Sequence, residues 1–427
     1  MVAPHCDMEN ASHIETVARA TLLRMTPRKW KLVRVFESII RILLRLVPPP
    51  PALEKSGTLP SSILVVEYWN LGDLAIVVPF LRNLRRSYPD ARISLLVNEG
   101  LASFLGGQGL VDEFITVRVP WAQHFSRWQK YNPFSGLWLP LLKAIWSLRG
   151  RNFDLAFSGR MDIRDNLLMW LSGARRRVGY GIGGGGFLLT DRVGPELSRP
   201  HRTDLWLQLL KKSGAERTAT AEKFHLSPES LSQARSLLAD LNVPEGATIV
   251  GVHSGARIAI RRWGDDRFAE VAKDLLKDED VHVLWFLEPK ALGQAPKLDR
   301  CHEVRLSFED FLAALSRCDL LVCNDSGPMH LAGLLRVPVV AVFGSTNPVW
   351  FGPQGPLDRV VIRPEMWCRP CFDYCIFDQP YCLRAIAPEQ TIASVKEALV
   401  EIRASSFDAT LDKNRMAVAS GERSDHD

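Results

Sequence analysis

The chain contains no run of uncharged apolar residues as long as the roughly 18 needed to cross a bilayer as a helix, so no transmembrane helix is expected. No secretory leader is evident: Asp7, Glu9 and Glu15 interrupt the N-terminal stretch, which has no continuous apolar core ending in small residues. Nor is there a large charge of either sign. With 53 Lys+Arg against 48 Asp+Glu the net charge is +5, and residues 1–60 hold nine basic against five acidic residues, which leaves the rest near neutral. A nucleic-acid binder of this size carries a basic face in its main body, so that class is not favoured. No G-x-S-x-G elbow and no phosphate-cradling P-loop occur. Cysteine is sparse and uneven, eight in all with four inside 368–382. That is not the even, dense spacing of a disulfide scaffold, and a reducing, cytoplasmic compartment is expected.

What remains is ordinary globular composition, 46% hydrophobic and 24% charged. A length of 427 residues, at about 150 per domain, suggests two or three domains. Residues 27–47 predict a helix. Lys31, Arg34, Ser38, Arg41 and Arg45 recur every three or four positions on one face, and Trp30, Val33, Phe36, Ile39, Ile40, Leu43, Leu44 and Val47 cover the others. Pro48–Pro51 stop it and a linker runs to 61. Such a basic amphipathic helix either lies in the interface of an anionic membrane, on its inner face, or docks on the protein's own body. From Ile63 onward, apolar runs without alternation (63–67, 93–97, 114–119, 153–158, 248–253, 281–287, 319–324 and 337–344) alternate with helical segments, the pattern of parallel sheets buried on both faces. Gly181–Gly186 reads as a flexible loop rather than a dinucleotide fingerprint, because no strand and helix flank it. Residues 405–427 are polar, lack periodicity and are expected to be disordered.

Four segments carry chemistry. Asn70-Leu71-Gly72-Asp73 follows the first strand, where ligands of open α/β sheets bind. Gly72 allows close backbone approach, and Asp73 stands in the first helical turn, either as a reactive carboxylate or as a helix cap. Asp325-Ser326-Gly327-Pro328-Met329-His330 follows another strand. Pro328 suits a helix start, amides there favour phosphate, and Asp325 suits sugar hydroxyls. Ser254 and Gly255, with Arg261 a few residues on, suit a diphosphate, the bland alternative being a solvated basic loop. Cys368, Cys371, Cys375 and Cys382 have spacings that fit a structural zinc, less well an iron–sulfur cluster, and equally four reduced thiols or a disulfide formed on handling.

In this order these motifs identify the chain as resembling glycosyltransferase family 9, the heptosyltransferase-like enzymes of lipopolysaccharide core assembly. The stretches that carry the resemblance are ILVVEYWNLGDLAIVVPFLRNLRRSYPDARISLLV, FDLAFSGRMDIRDNLLMWLSGARRRVGYG, VGVHSGARIAIRRWGDDRFAEVA and CDLLVCNDSGPMHLAGLLRVPVVAVFGSTNP, within roughly 62–400. The resemblance implies a GT-B type α/β fold, two Rossmann-like domains with parallel sheets facing a central cleft. It implies an acceptor domain at 62–240 and a nucleotide-sugar donor domain at 241–404 that includes 368–382, after an N-terminal extension at 1–61 and before the tail at 405–427. Transfer from a nucleotide-sugar such as ADP-heptose to a glycan or lipid-linked glycan would invert the anomeric centre without a metal, with Asp73 as general base. Arg261 would meet the donor diphosphate, where lysine is commoner in the family. Glu67-Tyr68-Trp69, the tryptophan-rich 120–148, Gly181–Gly186 and Glu288-Pro289 depart from the family pattern. The rival functions are a nucleotide-sugar epimerase and a non-catalytic nucleotide-sugar binding protein.

Overall fold

The computed structural model describes residues 23, 26–47, 50, 59–122, 132, 136, 138–196, 198, 201–216, 218, 224–372 and 374–421, with backbone alone at 27 and 406–421. The expectations for residues 1–22, for the Pro48-Pro49 stop and for most of the linker lie outside them. The chain divides into two compact units, Met1–Glu222 and Lys223–Asp427. Helix 228–240 therefore belongs to the second unit, not to the first as a boundary at 240 had it.

The first unit holds α1 (Pro27–Leu43), β1 (Ser62–Val66), α2 (Leu71–Ser87), β2 (Arg92–Asn98), β3 (Glu113–Val117), α3 (Trp138–Arg149), β4 (Leu155–Ser158), α4 (Ile163–Leu171), β5 (Arg176–Tyr180), β6 (Asp191–Val193) and α5 (Arg202–Ser213). The second holds α6 (Pro228–Asp240), β7 (Thr248–His253), α7 (Asp265–Leu275), β8 (Val281–Leu287), β9 (Cys301–Arg305), α8 (Phe308–Leu315), β10 (Leu320–Asn324), α9 (Gly327–Leu335), β11 (Val339–Phe343), α10 (Pro348–Phe351), β12 (Arg359–Ile362), α11 (Tyr381–Arg384) and α12 (Pro388–Gly421). The α12 backbone continues to Gly421, so the stretch from 405 to 421, expected to be disordered, is helical.

Both sheets are six-stranded and parallel, and their strand orders are equivalent: β3-β2-β1-β4-β5-β6 and β12-β11-β10-β7-β8-β9. The central strands are buried on both faces, as apolar runs without alternation require. Register is pinned at the N-terminal edges by aspartates that lie just before or at the start of one strand and accept an amide from the next. Asp112 accepts from Ile93 at 2.7 Å, Asp154 from Ser62 at 3.2 Å, Asp319 from Ile249 at 2.8 Å and Asp358 from Val339 at 2.9 Å. A slip of one residue would break these bonds and turn the buried face outward.

Gly181–Gly186 is not a flexible loop. It follows a strand, β5, which the sequence reading missed, and Ile182 to Gly186 are buried. Asn166 of α4 donates to the carbonyls of Tyr180 and Gly184, both at 3.0 Å. A Cβ on Gly183 would fall 1.8 Å from the Met161 carbonyl oxygen, and one on Gly184, at φ 102°, would fall 2.6 Å from Val33. The turn is thus a seat for α1: Glu37, buried on that helix, accepts the Gly185 amide at 2.7 Å, and the Arg41 guanidinium lies 3.8 Å above the Phe187 ring. Gly183→Ala is expected to cost about 2 kcal/mol or more, since backbone must move to admit the methyl group. A thermal midpoint equal to that of the unaltered protein would contradict the buried turn.

Candidate functional site

The strand order of each sheet reverses beside its first strand, between β1 and β4 and again between β7 and β10. Loops leaving neighbouring strands there depart to opposite faces, which opens a crevice at the carboxyl ends. The predicted residues lie at these two positions.

In the first unit, Asn70 caps α2 and Asp73 is its third residue. The Asn70 amide and side-chain NH2 donate to Asp73 Oδ2 at 3.3 and 3.2 Å, one half of a capping box. Capping and function are not alternatives here, because Oδ1 takes a different partner. Arg160, two residues beyond β4, donates to it from Nη1 at 2.8 Å, while its guanidinium lies 4.4 Å over Trp69. Gly72 is half-exposed in the same turn. Behind these groups is a buried network. Tyr68 makes a short hydrogen bond to Asp165 Oδ1, Trp121 donates to the Tyr68 hydroxyl at 3.0 Å, and Ser158 donates to Asp165 Oδ2 at 3.3 Å. The Arg160 amide donates to Ser158 Oγ at 3.3 Å, which joins the network to the guanidinium that holds Asp73. Arg164 lies 5.4 Å from both Trp69 and Trp121.

The electrostatics are lopsided. Burial pushes Glu67 up to about 8, with the Arg160 charge opposing and Asp73 and Asp165 adding. Burial likewise pushes Asp165 up to about 7. Arg202, at the start of α5, is drawn down to about 10 by burial and by Arg160. Near neutral pH Glu67 holds its proton, so the Arg160 guanidinium meets Asp73 without full competition from that carboxyl. Sequence reasoning did not select Trp69, Trp121, Arg160, Arg164 or Arg202. The one available signal was that Arg160 stands just past a strand, as Asp73 does.

In the second unit, Ser254 and Gly255 follow β7 and Asp325 and Ser326 follow β10. Asn324 joins the two, donating to the Ser254 carbonyl at 2.7 Å and accepting the Trp263 amide at 3.0 Å. Trp263 is buried and donates to the Ile386 carbonyl at 3.0 Å, so it anchors the loop that carries Arg261. Arg261 reaches Asp325 at 3.4 Å, and Thr346 donates to the same carboxylate at 2.5 Å. Ser326 caps α9, Gly327 is its first residue and Pro328 its second; His330 is half-buried. Met329 departs from expectation: its side chain is in the core and its amide donates to the Ser326 carbonyl at 3.2 Å, so it presents no free donor. The cysteine loop buttresses this region. Cys371 and Phe372 donate to the Ser345 carbonyl at 2.8 and 2.9 Å, and Arg369 donates to the Thr346 carbonyl at 2.8 Å. Burial pushes the Cys371 thiol up to about 11, the neighbouring cysteines adding to it. Among the described residues, no three His, Cys, Asp or Glu side chains are gathered to hold a metal ion.

The sequence model of glycosyltransferase family 9 (heptosyltransferase) matches residues 141–381, more than half of the chain. The protein belongs to this family and is a glycosyltransferase. Lipopolysaccharide heptosyltransferase 1 of Pseudomonas aeruginosa is 26% identical over 379 residues, covering 79% of this chain and 98% of that one. The family 9 glycosyltransferase of Veillonella parvula superimposes with a TM-score of 0.63 at 22% identity, covering 82% of this chain and 99% of that one. The E. coli ADP-heptose lipopolysaccharide heptosyltransferase II gives 0.59 at 20% identity, covering 80% and 99%. The chain shares their GT-B type fold of two Rossmann-like domains.

The raised carboxyls generate a stability expectation. Glu67 has its folded value above its unfolded one, so its contribution is full below about 4.5 and is lost as pH rises towards 8. Glu67→Gln should therefore flatten the fall of the thermal midpoint between mildly acidic and mildly alkaline pH. Equal slopes for the two proteins would contradict a buried, protonated Glu67.

Proposed function

We propose that the protein moves a sugar, heptose or a close relative, from a nucleotide-sugar to a glycan or lipid-linked glycan of the lipopolysaccharide-core type, with inversion and with no metal in the chemical step. The observation that carries this reading is Asp73, a half-buried carboxylate at the β1/β4 reversal with both oxygens oriented by neighbours. Asn70 donates twice to Oδ2, so the proton transfer is assigned to Oδ1, the oxygen beside Arg160. The E. coli and Pseudomonas relatives, named for ADP-heptose and lipopolysaccharide, support the choice of donor and acceptor class.

An acceptor hydroxyl attacks the anomeric carbon and its proton passes to Asp73. The bond from that carbon to the diphosphate oxygen breaks, and the nucleoside diphosphate leaves with the electron pair. Arg261 and the N-terminal end of α9 meet the growing negative charge. A guanidinium has five N–H donors, so Arg261 can hold Asp325 and meet phosphate together. Asp325, fixed by Thr346, accepts from donor hydroxyls. Arg160 positions Asp73. Cys368, Cys371, Cys375 and Cys382 are not gathered as a structural zinc needs, and the loop that carries them supports Ser345 and Thr346 by hydrogen bonds to their carbonyls.

The proposed place of work is the cytoplasmic face of an anionic membrane, with α1 as the contact. No helix among the described residues is long and apolar enough to cross a membrane. Both readings of α1 have support: Glu37 and Ile40 are buried against the body, while Leu32, Val35, Ile39 and Ile42 are exposed.

Asp73→Asn should lower the transfer rate by about 10²–10⁴-fold and leave donor affinity unchanged. Arg160→Gln should lower kcat on the order of a hundredfold by loosening Asp73, with donor KM unchanged, and Arg160→Lys should recover part of it. Unaltered kcat in Asp73→Asn would refute the base, and unaltered kcat in Arg160→Gln would refute the positioning role.

A further inference from the structure

Where α1 ends, its last turn stands off the body and leaves a cavity of about 440 Å³ lined by Arg41, Leu44, Arg45, Val47, Trp170, Phe187 and Leu188. That volume is within the range of ordinary small-molecule sites, about 300–1,000 Å³. Its composition is divided. Trp170, Phe187, Leu188, Leu44 and Val47 supply apolar wall, and the two guanidiniums are the charged groups. Arg41 is held in place over the Phe187 ring. A third guanidinium, that of Arg149 at the end of α3, lies 6.0 Å from the Trp170 ring. Among the described residues no carboxylate lines the cavity, and Glu37, the one acid of α1, is turned towards the Gly185 amide.

The surroundings are as informative as the lining. α1 exposes Leu32, Val35, Ile39 and Ile42 among Arg28, Lys29, Lys31 and Arg34, and Leu46 is exposed in the turn that follows. α3, whose last residue Arg149 approaches the Trp170 ring, exposes Leu139, Leu142 and Trp146. A free anion in water has no use for these apolar residues. An amphiphile with an anionic head does, because its chain stays against apolar surface while its head meets arginine.

We infer that this cavity binds one anionic phospholipid, its phosphate between Arg41 and Arg45 and the first part of an acyl chain against Trp170, Phe187 and Leu44. The inference rests on α1 being the membrane contact and adds to it a specific lipid site. Inorganic phosphate would leave the apolar wall uncovered, so it should not compete.

The test uses the full chain with vesicles of phosphatidylcholine alone or with added phosphatidylglycerol. Arg41→Gln/Arg45→Gln is compared with Arg28→Gln/Lys31→Gln, which removes the same charge from the other end of the helix. Binding to the phosphatidylglycerol vesicles should fall about tenfold or more in the first variant and clearly less in the second. Phosphatidylglycerol with brominated acyl chains should quench a tryptophan signal that is missing in Trp170→Phe. Equal losses in the two double variants, absence of Trp170 quenching, or displacement by inorganic phosphate would overturn the site while leaving membrane contact standing. If the unaltered protein binds neither kind of vesicle, membrane contact itself fails and the site with it.

Discussion

The strand-order reversal is the constraint from which the functional geometry follows. Each sheet grows outward in both directions from its first strand, β1 or β7, so the chain must leave neighbouring strands towards opposite faces at that point. Asp73 and Arg160 come from segments 87 residues apart and meet only because β1 and β4 are adjacent. Ser254 and Asn324 meet for the same reason at β7 and β10. The two ends of the sheets divide the work. Aspartates at the amino ends hold register through backbone amides, while Asp73 and Asp325 at the carboxyl ends also take side-chain donors, from Arg160 and Thr346.

Much of the fold was legible because fully buried parallel strands leave an unmistakable trace, four to seven apolar residues without alternation. The strands that escaped are β5, β6, β9 and β12; β12 has only three apolar residues after Arg359, and the other three break this rule. β5 begins Arg176-Arg177-Val178, and Arg177 is tolerated inside because its guanidinium donates to the carbonyls of Leu188 and Ala174. β6 is three residues at a sheet edge, and β9 carries a stacked His282–His302 contact with β8 in place of an apolar face. Gly181–Gly186 was misread because six residues rich in glycine signify freedom in isolation, whereas here they allow Met161, Val33 and Ile163 to approach the backbone.

The site was legible in its contiguous parts alone. A short motif directly after a strand can be seen in a sequence, and that covers Asp73, Arg261 and the turn from Asp325 to His330. Trp121, Arg160 and Arg202 belong to separate segments, and only tertiary structure brings them to Tyr68 and Asp73. Side-chain direction was hidden for a similar reason. Met329 stands in the motif, but its place on α9 turns it into the core between β10 and β11, so its contribution is to packing.

On the donor side, diphosphate recognition is assigned to groups already fixed in place. Trp263 anchors the Arg261 loop, Asn324 ties it to β7, and Ser345 with Thr346 is braced by the cysteine loop. The proposed function therefore has the donor site assemble without a metal. The most direct measurement is calorimetric binding of ADP-, UDP-, GDP- and dTDP-sugars to the purified protein in EDTA and again in magnesium. Binding of one donor class, ADP-heptose foremost, with the same affinity in both conditions is the expected result. Binding of none, or binding that EDTA abolishes, would contradict a donor site built from Arg261, Asp325 and the start of α9.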